Sequence, residues 1–109
     1  MPYDEQLAAR LKSILKGTGG LEEKKMFGGV GYLVDGNMAC GVHKQALILR
    51  LGEAKFEATL KLPHARVFDI TGKPMKGWIL LDREGCRSEL VLRRLVRDSV
   101  AFARSLPPK

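Results

Sequence analysis

The sequence predicts an α+β domain: a mostly antiparallel five-stranded sheet with helices packed on it, in the order α-β-β-β-α-β-β-α. Three observations lead there. Amphipathic helical stripes open and close the chain, while short apolar runs divided by glycine-rich turns fill most of the middle. Strands follow one another instead of alternating strictly with helices, which argues for antiparallel pairing. The 109 residues, 45% of them hydrophobic, are enough for one compact core, so residues 1–109 read as a single domain. No internal repeat, linker or low-complexity segment divides them.

Asp4 caps the first helix, whose buried stripe is Leu7, Leu11, Ile14 and Leu15. Gly17, Gly19 and Gly20 end it. Residues 26–34 read as one strand, with Met26, Val30, Tyr32 and Val34 on one parity and Phe27 and Leu33 on the other. Glu22 and Glu23, beside Lys24 and Lys25, read as a solvated turn before it. Asp35-Gly36-Asn37 is a hairpin signal, and the chain returns through 38–42. His43-Lys44-Gln45 turns it again into 46–51, which completes a meander. A short helix follows over residues 53–60, ended by Pro63. Strands at 66–70 and 76–82 flank a turn at 71–75. A long helix over 88–106 then turns Leu92, Leu95, Val96, Ser99, Ala103 and Leu106 inward, and Pro107-Pro108 stops it.

The runs Leu47-Ile48-Leu49-Arg50-Leu51 and Trp78-Ile79-Leu80-Leu81 are apolar on both parities. Helices cover only one face of such a sheet, so a second subunit is expected to help cover the other, which makes the protein a homodimer.

Charge narrows the partners. With 19 Lys+Arg against 12 Asp+Glu the net charge is +7, a surface that attracts acidic proteins and nucleic acids. No stretch reaches the apolar length of a membrane span, and MPYDEQLAAR lacks the apolar region of an export signal, so the expected location is the cytoplasm. Cys40 and Cys86 are then reduced thiols.

Catalytic chemistry finds little to work with. Gly28-Gly29-Val30-Gly31 matches neither the dinucleotide nor the P-loop spacing, and a strand follows it where phosphate binding needs a helix. The glycines mark a bulge and a surface where a helix or second subunit comes close. Cys40 and His43 lie three residues apart, about 10 Å along a strand. A pairing of Cys40 with His64 is the arrangement that spacing leaves open. No C-x-x-C or H-x-x-x-H pair is present to hold a metal, and Asp69 and Asp82 sit at strand ends without an evident partner. The expectation is a protein with no catalytic residues, no metal and no cofactor. A thiol enzyme using Cys40 or Cys86 is the weakest alternative.

The basic groups carry more. Arg93, Arg94, Arg97 and Arg104 recur at i+3, i+4 and i+7 on the last helix, interrupted by Glu89 and Asp98. Lys73, Lys76 and Trp78 flank the Thr71-Gly72 turn. Together they offer direct, sequence-tolerant nucleic-acid binding as the alternative to a protein partner, though no helix-turn-helix or stacking platform is visible.

The segments Lys24-Lys25-Met26-Phe27-Gly28-Gly29, Asp35-Gly36-Asn37-Met38 and Thr71-Gly72-Lys73-Pro74-Met75-Lys76-Gly77-Trp78, with the terminal 102–109, resemble the N-terminal domain of the TfoX/Sxy family. The likeness runs from Tyr3 to Lys109. It implies an α+β fold and kinship with bacterial regulators of DNA-uptake competence, which act with the cyclic-AMP receptor protein at promoters. Full-length regulators of that kind carry a second, helical domain, so a stand-alone single-domain member is expected. The family has no established active site, which makes the protein a non-catalytic regulatory module. The motif positions Lys24, Lys25, Phe27, Lys73, Lys76 and Trp78 form the interaction surface the resemblance implies, facing an acidic protein partner such as the transcription machinery.

Overall fold

A computed structural model describes residues 3–26 (Met26 by its backbone alone), 28–69, 72 and 75–108. Helix α1 spans Glu5–Leu15. The Asp4 carboxylate caps it, accepting from the backbone N–H groups of Gln6 at 3.0 Å and Leu7 at 3.1 Å. Four strands follow: β1 Leu21–Met26, β2 Gly29–Val34, β3 Asn37–His43 and β4 Ala46–Arg50. Helix α2 is Glu53–Leu60, then come β5 Ala65–Val67, β6 Trp78–Leu81, a 3-10 turn at Arg83–Cys86, and α3 Glu89–Ser105.

Among the described residues the sheet has six strands in the order β1-β2-β3-β4-β6-β5, each pair antiparallel. This corrects the expected five strands and the order built on them. Residues 26–34 are not one strand: Met26 pairs directly with Gly29, and Gly28 at φ +71° turns the chain between them. Phe27 lies outside the described residues. Glu22 and Glu23, expected in a turn, sit with Lys24 and Lys25 in edge strand β1, where charge discourages pairing with another chain.

The other hairpin signals hold. Asp35 and Gly36 both take positive φ, 53° and 85°, as a two-residue type I′ turn requires, and Lys44 does so at 54° between β3 and β4. The bulge falls elsewhere than expected. Tyr32 pairs with Cys40 and Leu33 with Met38, so the extra residue is Ala39, not a glycine. The glycines instead let neighbouring strands approach closely. A Cβ on Gly29 would overlap the Val42 carbonyl, and one on Gly41 the Val30 carbonyl.

Among the described residues all three α-helices lie on one face. There Leu11, Leu15, Leu92, Leu95, Val96 and Ala103 pack on Tyr32, Leu47, Leu49, Ile79 and Leu81. The inward face of α3 is the expected one, except that Leu106 lies just past the helix as its C-cap. Ser88 caps its start, its Oγ accepting from the Val91 N–H at 3.2 Å.

The opposite face closes on itself. Leu33, Met38, Ala46, Ile48, Phe68 and Leu80 form a second apolar cluster, with Met75 and Trp78 packed against it. Ile48 and Leu80 are 1% and 2% exposed within the single chain, so the reason for expecting a subunit over this face is gone. Phe68 also explains why the strand expected to reach 70 ends at Val67. Its ring lies 5.5 Å from that of Trp78, and its carbonyl accepts from the Met75 N–H at 3.0 Å, which ties Met75 to Phe68 beside the sheet. The last strand is shorter than 76–82 because Gly77, at φ +92°, bends the chain just before Trp78.

Candidate interaction surface

Strand alternation separates the two lysines of the first motif. Lys25 pairs with Val30 on the helix side, where its ammonium donates to the Tyr3 hydroxyl at 2.9 Å and sits 4.9 Å from that ring's centroid. The hydrogen bond to Tyr3 holds the Lys25 pKa above its ordinary value. Lys25 therefore ties the chain start to the sheet. Lys24 pairs with Gly31 and belongs to the other face, in the row that runs through Gly41, Ile48 and Leu80 to Arg66.

Trp78 belongs to a different row, opposite Arg50. It also sits four strand spacings from β1, about 19 Å away. It is half-buried, its ring 5.1 Å from the Arg50 guanidinium, which also lies 5.5 Å from the Phe102 ring. Trp78 is thus a lid on the second cluster, not an open stacking platform. Lys76 is exposed, and it makes no hydrogen bond or ion pair among the described residues. Lys73, like Phe27, lies outside them. The described members of the motif set, Lys24, Lys25, Lys76 and Trp78, do not share one surface.

The arginines do. Arg93, Arg94, Arg97 and Arg104 are all exposed on the outer side of α3. Arg93 pairs with Glu89 at 3.0 Å, and Arg104 donates to the Gly19 carbonyl at 3.3 Å. Arg94 and Arg97 make no hydrogen bond or ion pair among the described residues. The two acids expected to interrupt the stripe are engaged: Glu89 also pairs with Arg10 at 3.2 Å, and Asp98 with Lys55 at 2.9 Å. Leu90, 80% exposed, stands at the head of the same face. Sequence reasoning missed it, although the spacing 90, 94, 97, 101, 104 is the helical period that would have found it.

A family model described as the TfoX N-terminal domain matches residues 13–103. The chain belongs to that family. The matched span runs from the end of α1 through most of α3 and includes Leu90, Arg93, Arg94 and Arg97. Comparison with curated proteins and with solved structures finds no match.

This TfoX N-terminal domain keeps both thiols in the core. Cys40 lies on the helix face of β3 and His43 on the opposite face, while His64 is exposed, so neither histidine is brought to the thiol. Burial pushes Cys40 up to about 12, against a smaller opposing effect from a hydrogen bond with Ser99. Burial likewise pushes Cys86 up to about 11; its Sγ donates to the carbonyls of Leu81 and Asp82 at 3.7 and 3.5 Å. Among the described residues no three His, Cys, Asp or Glu side chains gather as a metal site, and no helix is long and apolar enough to cross a membrane.

A concavity of about 700 Å³ opens between the start of α1 and the β3–β4 turn, lined by Tyr3, His43, Lys44, Arg66, Asp82 and Arg83 among others. Its charges largely pair off. Arg66 grips Asp82 through Nη2 at 2.7 Å and Nε at 3.0 Å, and Arg83 reaches Asp4 at 3.9 Å. Asp82 therefore has the partner that sequence reading did not find.

The hydrogen bonds from Arg66 hold the Asp82 carboxyl below the usual carboxylate range. A lowered folded pKa contributes stability above the unfolded value and loses it as pH falls through the folded one. Arg66→Ala is expected to return Asp82 to the ordinary aspartate range in a carboxyl NMR titration. The parent's advantage in stability, under about 1 kcal/mol for so exposed a pair, should vanish in acid. Identical Asp82 titrations in both proteins would show that the pair does not hold in solution.

Proposed function

We propose that this domain is a non-catalytic regulatory interaction module, of the competence-related kind its family suggests, and that it docks an acidic protein partner on the outer face of α3. The observation that carries this reading is the pair Arg94 and Arg97. They are exposed and unengaged among the described residues, they stand beside the bare Leu90, and the helix that holds them is locked into the core by Leu92, Leu95 and Val96. A net charge of +7 steers an acidic surface toward that face. Arginine with an exposed apolar side chain is the mixture that protein interfaces favour, because the planar guanidinium grips carboxylates while the apolar group gains from burial.

Sequence-tolerant nucleic-acid binding through the same arginines is the second reading, favoured by the charge but given no use for Leu90. An amide NMR titration with a glutamate-rich peptide and with a short DNA duplex, at low and physiological salt, separates the two. Arg94→Glu with Arg97→Glu is expected to weaken the acidic peptide at least about tenfold while the melting temperature stays put. Unchanged peptide affinity would overturn the reading. Shifts with DNA that stay confined to α3 at physiological salt would put nucleic acid first.

A further inference from the structure

We infer that the groove between α1 and α3 seats an acidic amphipathic helix of the protein partner, an inference that rests on the α3 reading above. The groove has a volume of about 320 Å³ and is walled by Ile14, Thr18, Val96 and Val100, with Arg97 and Arg104 among its lining residues and no acid. Ile14 and Val100 are half-buried, so apolar surface remains for a partner to cover. The groove is held at both ends. Arg10 of α1 pairs with Glu89 of α3 at 3.2 Å, and Arg104 donates to the Gly19 carbonyl just beyond α1 at 3.3 Å. A slot fixed in this way binds without first having to be ordered.

Its chemistry selects the occupant. The volume is at the small end of ligand pockets, which run about 300–1,000 Å³, and its floor lacks the convergent polar groups that orient a small molecule. An apolar floor beside two arginines fits a helix that offers one or two apolar anchors flanked by carboxylates. Nucleic acid has no apolar anchor to place there, and among the described residues the groove presents no aromatic ring for a base to stack on. A second copy of this chain would bring another +7 to the contact.

The test titrates the whole labelled domain with a designed peptide, leucines at i, i+3, i+4 and i+7 and glutamates between, and with its scrambled isomer of the same composition. The amphipathic peptide is expected to shift the amides of Ile14, Thr18, Val96 and Val100 and to bind at least about tenfold tighter than the isomer. Val100→Glu should erase that preference. Ala101→Glu, at an exposed position on the groove wall, should do the same and keeps the test independent of folding. Equal affinity of the two peptides, both weakened by Arg94→Glu with Arg97→Glu, would overturn the groove and leave the arginine face standing. Equal affinity untouched by that double variant would overturn both. Groove shifts on self-association, or with a DNA duplex alone, would overturn the proposal in favour of a second copy or of nucleic acid.

Discussion

Gly52→Val is expected to cost roughly 2–6 kcal/mol, the sum of about 1–3 for backbone strain and about 1–3 for overpacking. Gly52 caps α2 at φ +77°, where a β-branched residue is a genuine outlier. A Cβ at that position would also come within 2.6 Å of Phe102 Cδ1. The Phe102 ring belongs to α3 and lies beside the Arg50 guanidinium, so moving it aside disturbs that contact. On the other side Gly77, at φ +92°, crosses so closely that its own Cβ would sit 3.3 Å from Gly52 Cα. The Gly77 carbonyl accepts from both Leu51 and Gly52, at 2.8 and 3.2 Å.

A domain has about 5–15 kcal/mol of stability in all, so this substitution takes a large share of it. Gly17→Val is the matched control: φ is +85° there, but nothing lies within 4 Å of the added Cβ, so strain is the whole effect. Thermal melts followed by circular dichroism decide the matter. If the two variants melt together, the crossing of Gly52, Gly77 and Phe102 is not as close as described.

Leu95→Ala is expected to cost about 2–5 kcal/mol, the usual range when a buried leucine is cut back and its cavity cannot collapse. Leu95 is 1% exposed and anchors α3 to the sheet opposite the arginine face. Leu90→Ala, on the same helix but 80% exposed, should stay within about 0.5 kcal/mol. In urea unfolding the first variant should lower the midpoint without changing the slope. A comparable loss at Leu90 would mean that α3 is rotated from the orientation that bares Leu90, Arg94 and Arg97. The functional reading would fall with it.

Much of this could be read along the chain because the signals are local. Asp4 caps α1, the Asp35-Gly36 pair turns a hairpin, and α2 keeps the expected bounds Glu53–Leu60. Each depends on residues within one turn of each other, through a cap, a positive φ or a 3.6-residue period. The break at Gly28 is not legible because a continuing strand alternation and a short hairpin look alike across so few residues.

The candidate site was legible only in part. The four arginines followed from periodicity, and so would Leu90, but the motif set scattered. Lys24 and Lys25, adjacent in sequence, fall on opposite faces of β1, and Trp78 is spent on closing the second cluster.

By itself, then, the sequence determined the α+β class, the span and inward face of α3, and the basic stripe, all properties of neighbouring residues. Tertiary structure alone decided that Arg66 meets Asp82, that Gly77 crosses Gly52 under Phe102, that Phe68 and Met75 close the second face, and that α1 and α3 leave a groove between them. Those contacts join residues distant in the chain. They depend on strand register and on how helices dock, and neither leaves a mark on the residues next door.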